Sequence, residues 1–433
     1  MESLKKILPL FCLALILSSS FRTSLKAQDN VSPKETTPKG FRRTDTASQN
    51  SNTDKLDAGD FHIVRDGLKN AQINFQQNKF GRIAFLGGSI TYGGGWRDSL
   101  MLYFKNKFPE TKFDFINAGI PSMGSTPSAF RLEKDILSKG KTDLLFVEAA
   151  VNDAVNGFSP IEQIRAMEGI VRHLKKTNPA IDIVMMHFVD PEKIIDYNNG
   201  KIPEVIRNHS KVAAHYNIPE INLAKEVAAR INNKEFTWEN DFKNLHPSPF
   251  GHGVYASSMI IFLEHSFSKH LHEENKITAT ELPKILDKGS YDKGYLVTPA
   301  EKSAVNGWAY EARWKPLDGA GTRSNYVDVP MLTGTYPTGI LRIPFFGTAA
   351  GLAIAAGPDA GIIAYRIDGG DWRKRDLFTE WSNTLHLPWY FTLASDLKNK
   401  QHVLEIKMSS EKNERSKGRT CRIRYFYING DVR

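Results

Sequence analysis

The stretch RIAFLGGSITYGGGWRDSL, Arg82 to Leu100, runs from a short apolar segment through paired glycines to a single serine, Ser89, and then into an amphipathic run. An apolar run of this length, a glycine corner and a helix-spaced segment predict strand, tight turn and helix in succession. A serine beside glycines at such a corner is ordinarily a turn residue, because the glycines are needed for the turn itself. Whether Ser89 does more depends on what the other strand ends carry.

Working outward, the same texture repeats from about Asp60 to His272. RIAFLG, KFDFINAG, DLLFVEAA, DIVMMHF and IPEINL are short apolar runs, whereas RDSLMLYFKNKF, PIEQIRAMEGIVRHLKK, IPEVIRNHSKVAAHY and SPFGHGVYASSMIIFLEHSF carry helical spacing. This alternation predicts a three-layer, flavodoxin-like α/β domain over residues 58–275, a parallel sheet with helices on both faces. Ligands of such folds collect at the carboxyl ends of the strands. After about Lys276 the pattern changes. GIIAYRIDGGDWRKRDLF reads as two period-two runs about a glycine turn, and GILRIPFFG, HVLEIKM and CRIRYFYING are further strand candidates. Residues 276–433 are therefore expected to form an all-β sandwich domain.

The chain begins with Lys5 and Lys6, an apolar run from Ile7 to Leu17, and then small and polar residues. That layout predicts a secretory signal peptide over 1–27, with Ala27 as the last residue before cleavage and an apolar run too short to span a bilayer. The surroundings of Cys12 do not resemble a lipid-attachment site, so the expectation is a soluble exported protein, secreted or periplasmic, with no stable membrane insertion after cleavage. Residues 28–57, rich in Ser, Thr, Asn, Pro and Lys, read as a flexible polar linker. Cleavage leaves Cys421 as the one remaining cysteine, so no intrachain disulfide staples the mature protein. It also removes four basic residues and one acidic one, lowering the formal charge from +9 to +6. No basic block interleaved with aromatics follows, which argues against a nucleic-acid partner; an anionic glycan would be favoured by such a surface.

Three further strand ends bear on Ser89. FINAGIPSMGST leads from a strand into a loop with Gly119 and Gly124, FVEAAVNDA supplies Asn152 and Asp153, and NLHPSPFGH supplies His246 just before the last long helix. Acyl transfer needs a hydroxyl nucleophile, a base within hydrogen-bond reach and donors aimed at the developing oxyanion. All three occur here, in order, at the strand ends of one layered domain. Thr91 stands where the nucleophile elbow of α/β-hydrolases has its second glycine, so that pattern is absent.

The four blocks resemble the SGNH hydrolase superfamily. The resemblance implies that Ser89 is the nucleophile, that His246 is the general base, and that the Asn152 amide helps to hold the oxyanion. Gly124, in preference to Gly119, matches the glycine of the second block, and its backbone N–H would join that of Ser89 in the oxyanion hole. No metal or organic cofactor is implied, and no His and carboxylate groups fall at the spacing of zinc proteases. Two positions depart from the family pattern. Gly88 replaces the Asp that often precedes the serine, and Lys243 stands three residues before His246, where the third triad member is usual. A lysine cannot accept the imidazole proton. Asn244, Asp241 reaching back, or a backbone carbonyl could orient the ring instead.

Other polar residues are expected to be structural: His187 as a satisfied buried histidine, His252 as a local hydrogen-bond partner, and Asp153 as a loop anchor. In the β region Trp372, Trp381, Trp389 and Tyr390 are crowded enough to suggest stacking on sugar rings, although any one of them reads first as core. The two-domain layout resembles secreted bacterial carbohydrate esterases that remove acetyl groups from polysaccharides. That resemblance implies an O-acetylated polysaccharide or oligosaccharide as partner, on fold-level analogy. A lipid or aryl-ester hydrolase, and a glycan-binding protein with a lapsed site, are the other readings.

Overall fold

Along the central strands, odd and even residues go to different cores, and this decides the layers. The computed structural model describes residues 55–272 and 274–431; the expected signal peptide and nearly all of the expected linker lie outside the described residues. The α/β part contains strands β1 (His62–Ile63), β2 (Phe80–Gly87), β3 (Lys112–Gly119), β4 (Leu144–Glu148), β5 (Asp182–Met186) and β6 (Glu220–Ile221). They form one sheet of order β1-β6-β5-β4-β2-β3, parallel except for β1 against β6. Ala84, Leu86, Leu145, Val147, Ile183 and Met185 enter one core, and their neighbours Ile83, Phe85, Leu144, Phe146, Val184 and Met186 enter the other. Successive side chains of a strand point to opposite faces, so a sheet covered on both sides reads as a continuous apolar run.

The helices are α1 (Lys69–Gln76), α2 (Ser89–Tyr92), α3 (Trp96–Lys107), α4 (Ser125–Asp135), α5 (Ala150–Val155), α6 (Pro160–Thr177), α7 (Pro191–Asn198), α8 (Glu204–His215), α9 (Leu223–Asn232) and α10 (Pro249–Ser266). Residues of α1, α3, α9 and α10 pack in the core containing Phe85, and those of α4 and α6 pack in the core containing Leu86. The start of α6 shows why this segment is a helix: Ser159 and Glu162 form a reciprocal capping box and Pro160 occupies the first turn. The loop with Gly119 and Gly124 ends where α4 begins, a helix that is short of aliphatic periodicity but buries Ser125 through Leu132 almost completely.

The C-terminal region is rich in β-strands: β7 (Gly294–Val297), β8 (Trp308–Trp314), β9 (Gly321–Thr322), β10 (Val329–Thr335), β11 (Leu341–Gly347), β12 (Ala349–Ala356), β13 (Ile362–Ile367), β14 (Arg373–Asp376), β15 (Leu385–Ala394), β16 (Lys400–Met408) and β17 (Thr420–Asn429). A larger sheet has the path β8-β10-β17-β12-β15-β9 with β7 beside β17, and a four-stranded sheet has the order β11-β16-β13-β14. Their facing residues, among them Leu352, Ile354, Ile363, Leu404, Ile406 and Ile423, make a common core. The other face of the larger sheet is also covered. Ala353, Ala355, Tyr390, Tyr425 and Tyr427 pack in one cluster with Ala129 and Phe130 of α4 and Ile170 of α6. Hence β12, AAGLAIAA, is buried at every position.

Residues 276–292 run along the α/β part before β7 begins. Thr278 exchanges hydrogen bonds with Asn70, Leu286 and Asp287 donate to Glu168, and Arg165 and Arg172 pair with Asp287 and Asp292. Among the described residues no helix is long and apolar enough to cross a membrane.

Candidate active site

β2 ends at Gly87, whose carbonyl accepts a hydrogen bond from Nη2 of the buried Arg131 of α4 at 3.3 Å. The chain then turns through Gly88 into α2, and Ser89 is the first residue of that short helix. Gly88 lies close under Asn152: a Cβ there would stand 2.0 Å from Oδ1 of Asn152, so a side chain at this position would displace the Asn152 amide.

Asn152 lies in α5, directly after β4, and is half-buried. Among the described residues its side-chain amide has no hydrogen-bond partner in the protein. Its neighbour Asp153 is fully buried and works in two directions: Oδ1 accepts the Ser125 N–H at 2.7 Å, and Oδ2 lies 2.8 Å from Nε2 of His209. A Cβ on Gly124 would fall 2.2 Å from Asp153 Oδ1, so only glycine lets the start of α4 sit this close to α5. Asp153 is thus the loop anchor expected from the sequence. Among the described residues no protein acceptor takes the backbone N–H of Ser89 or of Gly124. Gly119, the other glycine considered, closes β3 and packs against the backbone of Tyr92.

His246 comes from the loop between a π-type turn, Trp238–Phe242, and α10. Its Nε2 stands 2.7 Å from Ser89 Oγ. The loop is held by its own backbone and by caps. Thr237 Oγ1 accepts the Asn240 N–H, Asp241 Oδ2 accepts from the N–H and the hydroxyl of Thr237, and Asn244 Oδ1 accepts the His246 N–H at 2.8 Å. The Ser248 hydroxyl donates to the Asp241 carbonyl.

The structure therefore brings Ser89 and His246 together and does not bring Asp241 to the imidazole. The Asp241 carboxylate closes the π-type turn onto Thr237. Asn244 spends its side-chain oxygen on the His246 backbone. Lys243 is exposed, at a left-handed φ of 80°. No Asp or Glu pairs with the His246 ring among the described residues. His246 keeps exposed surface, and its pKa lies below the ordinary 6.5 chiefly because the protein around the ring displaces part of its water, with the positive charges of Arg323 and His252 acting in the same direction.

Arg323 was not foreseen from the sequence. It belongs to the β-rich region, and nothing in GTRSNYVD marks it for a site formed by another part of the chain. His252 and His187, expected to be structural, each meet a protein partner. His252 Nδ1 accepts the Trp96 N–H at 3.4 Å, and His187 Nε2 lies 3.1 Å from Glu220 Oε1, although its Nδ1 has no partner. Glu148, at the end of β4, accepts the Val151 N–H and is raised to about 7 by burial. Of the crowded aromatics, Tyr390 is buried in the shared core, Trp389 packs on the sandwich core, and Arg366 and Lys407 lie over Trp372, each 4.5 Å from its ring centre.

Residues 85–254 match the model of the GDSL-like Lipase/Acylhydrolase family. A search of curated proteins found no match. Among solved structures, the chain is similar to a two-domain esterase, CEX, active on acetylated mannans, at a TM-score of 0.68 and 20% identity, over 86% of this chain and 98% of that one. The same esterase co-crystallised with mannopentaose gives a TM-score of 0.63 at 21% identity, over 82% of this chain and 92% of that one. These likenesses show a shared fold across both parts of the chain. The α/β part, with Ser89, Asn152 and His246 inside the matched span, is a GDSL/SGNH lipase-acylhydrolase domain.

Proposed function

We propose that this protein is an exported serine esterase that removes O-acetyl groups from a polysaccharide or oligosaccharide, secreted or periplasmic in a bacterium. The observation that carries the reading is the 2.7 Å contact between Ser89 Oγ and His246 Nε2 at the carboxyl end of the sheet. Ser89 Oγ attacks the ester carbonyl while its proton passes to His246 Nε2. The negative charge gathers on the former carbonyl oxygen, where the N–H groups of Ser89 and Gly124 and the Asn152 amide are the available donors. The tetrahedral species collapses as His246 gives the proton to the departing sugar oxygen, which leaves as a hydroxyl, and acetyl-Ser89 remains. Water, deprotonated by His246, then attacks the acetyl carbon, and as the bond to Ser89 Oγ breaks His246 returns the proton to that oxygen and acetate leaves.

The catalytic unit is a dyad, with the ring oriented by its contact to Ser89 and by the backbone bond to Asn244. Support for a glycan substrate comes from the fold shared with the acetylmannan esterase and from a C-terminal region of the same kind. Acetate release from a panel of acetylated polysaccharides tests this reading. The wild-type protein is expected to release acetate from at least one of them, and Ser89→Ala and His246→Ala to release none above background. The lack of a carboxylate at His246 favours a second reading, a glycan-binding protein with a lapsed site; binding without release, equal in wild type and Ser89→Ala, would establish it.

A further inference from the structure

Two of the three oxyanion donors depend on one carboxylate. Asp153 follows Asn152 in α5, a helix of six residues, and its Oδ1 accepts the N–H of Ser125, the first residue of α4, at 2.7 Å. The first N–H of a helix has no acceptor within that helix, so the Asp153 carboxylate sets where the peptide after Gly124 lies. Its other oxygen, Oδ2, meets Nε2 of His209 at 2.8 Å, and both side chains are fully buried. Among the described residues His209 supplies the one side-chain bond to Asp153.

His209 stands on the buried stripe of α8, with Val205, Ile206, Val212 and Ala213. Packing alone would be met there by an apolar side chain, and a buried polar ring is costly unless its polar atoms are bonded. Its Nδ1 has no partner, so the contact with Asp153 is the ring's single hydrogen bond. A carboxylate only accepts, which places the proton on Nε2. The helix is tied on either side of this residue: the Asn208 amide donates to Oε1 of Gln163 in α6 at 2.8 Å, and the Ser210 hydroxyl donates to Glu220 of β6. His209 therefore meets Asp153 from a fixed position. We propose that His209 is a positioning residue for acyl transfer, holding the Gly124 N–H and the Asn152 amide, through Asp153, where the oxyanion forms. This rests on the esterase reading of the Ser89 and His246 site. Without His209 the Asp153 carboxylate is buried with one oxygen unmet, a cost that is relieved by turning it away from Ser125. A shift of about 1 Å in a donor is enough to cost on the order of 100-fold in rate.

The test compares aryl acetate hydrolysis by the mature wild type and its variants, with Tm recorded for each. His209→Leu is expected to lower kcat roughly ten- to a hundredfold, with KM within about twofold of the wild type. His209→Gln, whose amide nitrogen reaches the place of Nε2, is expected to recover most of that loss. His187 is the control: it is equally buried, its ring centre lies 6.1 Å from that of His209, and it meets Glu220 instead of Asp153. His187→Leu should lower Tm without a comparable loss of kcat. Should His209→Leu not fold, His209→Asn, whose amide stops short of Asp153, takes its place with the same loss expected. An unchanged kcat in the folded variant, no recovery in His209→Gln, or an equal loss of kcat in His187→Leu would overturn the proposal and leave the esterase reading intact. If the wild type hydrolyses no acetyl ester, the esterase reading fails and the proposal falls with it.

Discussion

The corner that carries Ser89 and the loop that carries His246 meet at one hydrogen bond but are built in different ways. The serine corner is held from outside: Arg131 of α4 grips the Gly87 carbonyl, Asn152 of α5 leans over Gly88, and Asp153 ties α5 to the start of α4. The histidine loop is held from within, by the turn of Trp238–Phe242 and by Thr237, Asp241, Asn244 and Ser248 bonding to their own neighbours. A position fixed by packing tolerates little change around it. A position fixed by local capping is free to take its electrostatics from whatever is laid beside it, and here that is a cation from the β-rich region.

This contrast can be broken at either end. The largest effect is expected at the serine corner. Asn152→Ala should lower kcat by about 100-fold or more, the usual loss for an oxyanion donor, with KM little changed; a loss of only a few-fold would mean that the amide serves the packing of Gly88 alone. The next is a shift in pH dependence. His246 acts as a base only when neutral, so activity falls as pH drops through its pKa. Because burial, Arg323 and His252 all lower that value, the acid limb of kcat/KM should lie below 6.5, and an acid limb above 6.5 would contradict it. The smallest effect is expected in the histidine loop. Asp241→Ala removes two hydrogen bonds to Thr237 and should cost about 1 kcal/mol of stability, while leaving the acid limb where it was. A limb displaced in this variant would show that Asp241 orients the imidazole after all.

The layers of the α/β part were legible because its strands bury both faces and its longer helices repeat apolar residues at helical spacing, as in α6 and α8. Ser89, Asn152 and His246 were legible because each follows a strand or precedes a helix in a recognisable block. The helix α4 was not, because it buries polar and small residues, Ser125, Thr126 and Ser128, against Asp153 and the β-rich region. Nor was the role of Asp241, since a carboxylate five residues before a histidine is compatible with reaching back or with capping, and only the π-type turn decides between them. Arg323, whose charge lowers the His246 pKa, lies 77 positions from His246 in the chain, and no local pattern couples the two.

The most direct test of Ser89 as an activated nucleophile is the intact mass of the protein after exposure to a fluorophosphonate ester, which bonds phosphorus to an attacking serine oxygen with loss of fluoride. A single adduct on the peptide containing Ser89, absent in Ser89→Ala and strongly slowed in His246→Ala, is the expected result. An unmodified wild-type protein, or an adduct that persists in Ser89→Ala, would contradict the dyad and with it the esterase reading.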